Sequence, residues 1–258
     1  MDAAATPLRS NVVVASLVAA GSLLLSFGVA GNEALVRSID AADIMALERQ
    51  IAGGADVNEP GVDGATALHW AAYSDQLQAA RVLLEAGADP GARSRYGVTP
   101  LYLAVVNGND AMIELLLEAG ADPQQPGPQG ETMLMAAART GVPATLETLV
   151  DAGVDVNASE SGFEQTALML AVRERNLAAA RLLIDRGADV DARTLAGPAP
   201  AFTPPCKGTG CGSEGVGINR GGLPDRGRRD PAQGGMTALL YASRDGLTDM
   251  VSLLVAAG

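Results

Sequence analysis

The residues that ordinarily carry chemistry are few in this chain. His69 is its only histidine, which removes both a histidine-based metal cluster and a Ser-His-Asp relay from consideration. Cys206 and Cys211 are its only cysteines, and a metal site would need two further ligands that their surroundings do not offer. A local disulfide between them is the leading reading if the chain is exported, with free thiols or a redox pair as alternatives. Gly210-Cys211-Gly212-Ser213-Glu214-Gly215 has the spacing of a dinucleotide-binding loop. No apolar strand precedes it and no amphipathic helix follows, and those elements form the pyrophosphate site. Asp56, Asp89, Asp122, Asp155 and Asp189 recur at one position of a repeating pattern. Recurrence suits turn formation, whereas a catalytic carboxylate pair needs two unlike environments in one cleft. With no nucleophile-base pair and no phosphate loop, this span reads as no enzyme, with no cofactor, metal or small-molecule ligand.

The pattern that holds these residues is a period of about one unit per 33 positions. Gly closes an apolar run at Gly54, Gly87, Gly120, Gly153, Gly187 and Gly258, with spacings 33, 33, 33, 34 and 71. Thr opens the next run at Thr66, Thr99, Thr132, Thr166 and Thr237, with spacings 33, 33, 34 and 71. Two independent marks keeping one period indicate repeated supersecondary units. A Thr hydroxyl can cap the free amides of a helix that starts there, and Pro100 stands where a helix best tolerates proline. The second run of a unit, as in Ala80-Arg81-Val82-Leu83-Leu84-Glu85-Ala86, has helical periodicity and stops at a glycine able to turn left-handed.

Helix, turn, helix and a turning connection every 33 residues resembles the ankyrin repeat. Its motif is written here as Thr66-Ala67-Leu68-His69 and Gly87-Ala88-Asp89, with Thr-Pro-Leu intact at Thr99-Pro100-Leu101. The motif histidine occurs once; Tyr102, Met135, Met169 and Leu240 stand in its place elsewhere. The resemblance covers about residues 32–258 except for one insertion. It implies an all-α solenoid of helix-turn-helix units with hairpin-like connections, about six units in residues 31–258, and a long loop insertion at 194–233. His69 is then a buried polar link between units and Trp70 a packed core residue. No unit buries both its faces alone, so stability must come from neighbours.

The resemblance also implies a protein partner held on the concave face. Contacts in such repeats come from the residues after the first helix's Ala-Ala pair, here Tyr73, Ser74, Val106, Asn107, Arg139, Thr140, Arg173, Glu174, Arg244 and Asp245. The connection tips add Arg95, Tyr96, Gln129 and Phe163. A scaffold that binds one partner protein is the reading; a targeting arm of a longer enzyme is the alternative. The apolar Leu253-Leu254-Val255, with no polar capping unit after it, suggests a polypeptide continuing beyond Gly258.

Composition agrees with thin helical layers. Aromatics are 3% of residues while 48% are hydrophobic, so small aliphatic side chains supply the core. The formal net charge is −12, and Lys207 is the only lysine, which leaves little with which to grip a phosphate backbone. Nucleic acid is therefore not expected as a partner. Arg226, Arg228 and Arg229 form a basic cluster, but Asp225 and Asp230 dilute its field. Arg9, the apolar stretch Val12 to Phe27 and Gly28-Val29-Ala30 read as a signal peptide cleaved after Ala30. An uncleaved anchor, and hence a structural envelope role, is the alternative, although that stretch falls short of the roughly 20 residues a span needs. The arginine- and alanine-rich, nearly lysine-free composition suggests a GC-rich bacterium and a periplasmic or secreted address.

Overall fold

The structure is a computed structural model that describes residues 32–195 and 235–258. The signal-like segment, both cysteines and the arginine cluster lie outside the described residues. Six helical pairs follow in order: α1 (Glu33–Asp40) with α2 (Ile44–Ala52), α3 (Ala67–Tyr73) with α4 (Leu77–Glu85), α5 (Pro100–Asn107) with α6 (Asp110–Glu118), α7 (Met133–Thr140) with α8 (Pro143–Asp151), α9 (Ala167–Arg173) with α10 (Leu177–Asp185), and α11 (Ala238–Arg244) with α12 (Thr248–Ala257). Helices of 7–10 residues are too short to persist alone in water, so packing between units must hold them.

Local sequence explains each boundary. The hydroxyls of Thr99, Thr132, Thr166 and Thr237 accept from the amides of Tyr102, Met135, Met169 and Leu240 at 3.1–3.4 Å. Pro100 and Pro143 open α5 and α8, where a missing amide costs nothing. Each of the first five outer helices stops at a glycine with φ between +84° and +95°, a left-handed turn that would strain any other residue. Next comes the recurring aspartate, whose Oδ1 accepts from the amide two residues on. The bond is 2.9 Å at Asp56, Asp89, Asp122, Asp155 and Asp189, so these five carboxylates are turn formers.

The odd-numbered helices form an inner row and the even-numbered ones an outer row. Inner helices are buried over consecutive positions, as in Met133 to Ala138, because units flank them on both sides and an outer helix backs them. Fully buried alanines (Ala71, Ala72, Ala104, Ala136, Ala137, Ala171, Ala242) let inner helices approach closely. Outer helices bury only one stripe, such as Met112, Ile113 and Leu116 in α6. Inner helices thus pack more tightly on one another than outer ones do, and the stack curves toward the inner row.

Units are also joined by polar bridges. His69 Nδ1 accepts the Thr66 amide at 3.1 Å, so the ring proton sits on Nε2 and is donated to the Val98 carbonyl at 3.1 Å. This is the link between neighbours that the motif implied. Burial lowers the His69 pKa below 6.5, opposed by the Val98 bond and by Asp63 and Asp89. The unfolded chain therefore binds the proton more readily, and the stability His69 confers, complete above pH 6.5, is lost as pH falls through the folded pKa. Urea midpoints should drop between pH 7.5 and 5.5 in the native chain and drop less in His69→Gln; equal slopes would contradict this.

The connections are hairpin-like. Ser94 N donates to Val98 O at 2.9 Å, and Gly127 N to Glu131 O at 2.8 Å. The fifth connection keeps that geometry on either side of the undescribed stretch: Thr194 N donates to Met236 O at 3.1 Å and Gly235 N to Thr194 O at 2.8 Å. Met236 N donates to Thr194 Oγ1 at 3.0 Å, as Val98 N does to Ser94 Oγ at 3.1 Å. Leu195 and Gly235 thus match Arg95 and Gly97, and the spacing of 71 exceeds one period of 33 by 38 positions. Deleting 196–233 should leave a five-residue hairpin like its neighbours. Stability should stay equal or rise, because joining two fixed ends through more residues costs more closure entropy than joining them through fewer. A drop of several degrees in melting temperature on deletion would mean that the stretch packs on the array.

Candidate binding surface

Where an inner helix ends, its last side chains turn outward along the concave side. The next residue is left-handed in every unit: Ala42, Asp75, Gly108, Gly141, Arg175 and Gly246, with φ from 52° to 79°. Glycine suits that conformation; Ala42, Asp75 and Arg175 hold it at a cost. Asp75 has a structural role there, its carboxylate accepting from Asn107 at 3.3 Å and Asn109 at 3.2 Å. The Arg175 side chain is exposed and makes no hydrogen bond or ion pair among the described residues.

Two polar clusters cross the surface. In the middle, the Tyr102 hydroxyl donates to Glu131 at 2.7 Å, and Arg139 donates to Glu131 at 3.2 Å and to the Tyr102 oxygen at 3.3 Å. Tyr102 stands where the motif has histidine, and it restores a bond between units by other chemistry. Burial first, then the Glu131 carboxylate, pushes its phenol pKa from 10.0 up to about 12. Its stabilising effect is complete below pH 10 and is lost as pH rises through about 12. Phenolate absorbance should show a component titrating near pH 12 that Tyr102→Phe removes; its survival in the variant would reassign it.

Further along, two guanidinium groups lie over one ring. Arg244 is 5.3 Å and Arg173 5.9 Å from the Tyr241 centroid, within cation-π reach. Arg173 also donates to Gln165 Oε1 at 2.8 Å, and Arg244 to Asp245 at 2.8 Å and 3.4 Å. The Asp245 carboxyl is held below its ordinary pKa by the Arg244 bond, then by the charges of Arg244, Arg175 and Arg173. Toward the other end, an apolar cleft lies between α3 and the following connection. Ala65, His69, Trp70, Tyr73, Ser94, Val98 and Leu103 line a small cleft of about 30 Å³ that opens to solvent. The Trp70 and Tyr73 rings meet edge to face at 6.1 Å.

The structure sorts the expected contact residues. Tyr73, Val106, Arg139, Arg173 and Arg244 share one row, and Ser74, Asn107, Thr140, Glu174 and Asp245 the next. Tyr96 and Phe163 are exposed at the tips, 66% and 56%, beside exposed Arg95 and Gln129. Some of these side chains are already engaged. Asn107 Nδ2 donates to the carbonyls of Ala72 and Tyr73 at 3.1 and 2.9 Å, closing α3, and Thr140 donates to Ala137 at 2.8 Å. Trp70 is partly buried against the core and also walls the cleft.

Sequence reasoning missed Tyr102, Glu131, Gln165, Arg175 and Tyr241. A signal for two of them exists: Glu131 and Gln165 precede the capping Thr by one and the outward Arg by eight. In the last unit that place holds Met236, which offers no acceptor, and Arg244 turns to Asp245 instead.

A row of short helical hairpins, each held by its neighbours and presenting the ends of its inner helices on one side, defines a repeat solenoid. The family description "Ankyrin repeats (3 copies)" matches residues 35–127 and 124–194. The chain belongs to the ankyrin repeat family. It is similar in structure to the ankyrin repeat domain of Bcl-3, described as a unique member of the IkappaB protein family, with 24% identity, 87% of this chain and 86% of that chain covered, and a TM-score of 0.68. That likeness concerns the fold. Comparison with curated proteins returned no match. Repeats of this family generally mediate protein-protein interaction.

Proposed function

We propose that this protein is a binding scaffold that holds one partner protein along the concave inner face of its solenoid, and that its described residues perform no catalysis. One observation carries the reading. The framework side chains repeat from unit to unit, whereas the outward row does not keep one type, running from Tyr73 and Val106 at one end to Arg139, Arg173 and Arg244 at the other. A surface whose residue types shift along a repeating frame suits recognition of a single partner. Tyr and Arg, prominent in that row, are the side chains that most often anchor interfaces. The test is capture of the partner from native extract with the full chain, comparing Arg173→Glu on the inner row with Arg181→Glu on the outer one. Loss with the first alone is expected; equal retention by both would contradict the reading.

We further propose export, supported by Arg9, the apolar stretch Val12 to Phe27 and the small residues ending at Ala30. Among the described residues no helix is long and apolar enough to cross a membrane. N-terminal sequencing of the mature protein should begin at Gly31. A start at Met1 in a membrane fraction would instead indicate an anchor.

A further inference from the structure

We infer that the inner face is directional: it takes an extended acidic-ended peptide segment, with an apolar side chain in the Trp70 cleft and carboxylates about ten residues away on Arg173, Arg175 and Arg244. The inference rests on the inner-face reading and adds the partner's chemistry and polarity. Residues 32–127 carry 5 Arg against 14 Asp and Glu, so the cleft lies in a strongly negative half of the molecule. An evenly charged polyanion is repelled there. The other half is less negative, with 7 Arg against 12 Asp and Glu over residues 128–195 and 235–258, and its inner face gathers arginines. Arg173 and Arg244 share the Tyr241 ring, Arg244 pairs with Asp245 at 2.8 Å, and Arg175 is exposed two residues beyond Arg173, with exposed Glu174 between them.

Two of those arginines are held in advance. Tyr241 is 9% exposed and holds Arg173 and Arg244 over its ring, while the hydrogen-bond partner of Arg173, Gln165, carries no charge. Immobilised guanidinium forks bind carboxylates with little further loss of side-chain freedom. Arg175 keeps a charged side chain in the left-handed conformation that Gly108, Gly141 and Gly246 adopt in other units. At the opposite end the cleft is small and walled mainly by aromatic and aliphatic groups, which suits the tip of an apolar side chain.

Spacing sets the register. From α3 to α9 and α11 the inner row advances three and four helices, each about 8–10 Å from the next, hence roughly 25–40 Å. An extended chain rising about 3.3 Å per residue covers that in about 8–12 residues.

The test uses a displayed library of random 16-residue peptides against the full chain. Enriched peptides should carry Asp or Glu at one end and an aromatic or branched aliphatic residue 8–12 positions away. Their synthetic forms should shift the emission of Trp70, the only tryptophan, and lose about tenfold in affinity when the acids become amides. Arg175→Asn with Arg244→Gln should abolish that acid preference; Asn is chosen because it tolerates a left-handed backbone. No enrichment, basic enrichment, or binding without a Trp70 response overturns the proposal. Peptides that protect only α4, α6 and α8 from hydrogen exchange would sink the inner-face reading itself. Inner-face binders without an acidic end would sink only the directional one.

Discussion

Replacing Leu116 with Ala should lower the free energy of unfolding by about 2–5 kcal/mol, and Leu83→Ala should do the same. Both leucines are fully buried on outer helices, Leu83 in α4 and Leu116 in α6, each with a unit on either side. Removing three carbons there deletes apolar burial and leaves a void that the flanking helices, pinned by their own contacts, fill only in part. In a stack stabilised by nearest neighbours, a weakened interior unit also weakens two interfaces. Urea unfolding checks it. A midpoint unchanged within error at both sites would mean that the helices face the core with other residues.

A second large effect is expected where there is no side chain at all. A Cβ on Gly127 would stand 2.5 Å from Tyr102 Cδ2 and 2.6 Å from Cε2. The backbone there, with φ of −76°, suits any residue, so the whole cost of Gly127→Ala lies in that collision. The ring cannot swing aside freely, because its hydroxyl is tied to Glu131 and Arg139. Forced overpacking of this kind costs about 1–3 kcal/mol. Tyr102→Ala removes the obstacle, so the double variant should be less destabilised than the two single changes added together. Simple additivity would show that the clash is absent in solution.

Most of the frame was legible because its causes are local. A capping Thr, a left-handed Gly and a turn-forming Asp each act within a few residues of themselves, and repetition at 33 positions made them conspicuous. His69 was legible for a related reason: a lone buried imidazole beside a capping Thr has few other uses. The surface clusters were not, because their partners come from different units. Tyr102 meets Glu131 across 29 positions and Arg139 across 37, and Tyr241 meets Arg173 across the insertion. Arg175 escaped notice because glycine fills its place in three other units, so its charge was overlooked beside Arg173. Asn107 shows the reverse: its position suggested a contact residue, yet its amide closes the helix of the preceding unit.

The most direct test of the central claim is site-specific photo-crosslinking of the full chain in its native compartment. A photoreactive residue would be placed in turn at Tyr96, Phe163 and Glu174 on the inner and tip surface, and at Arg81, Glu114 and Arg181 on the outer helices. All six positions are exposed, so each variant should fold. The account predicts one partner protein crosslinked from the first three positions and none from the last three. The same partner appearing from Arg81, Glu114 and Arg181 while the first three stay silent would contradict it.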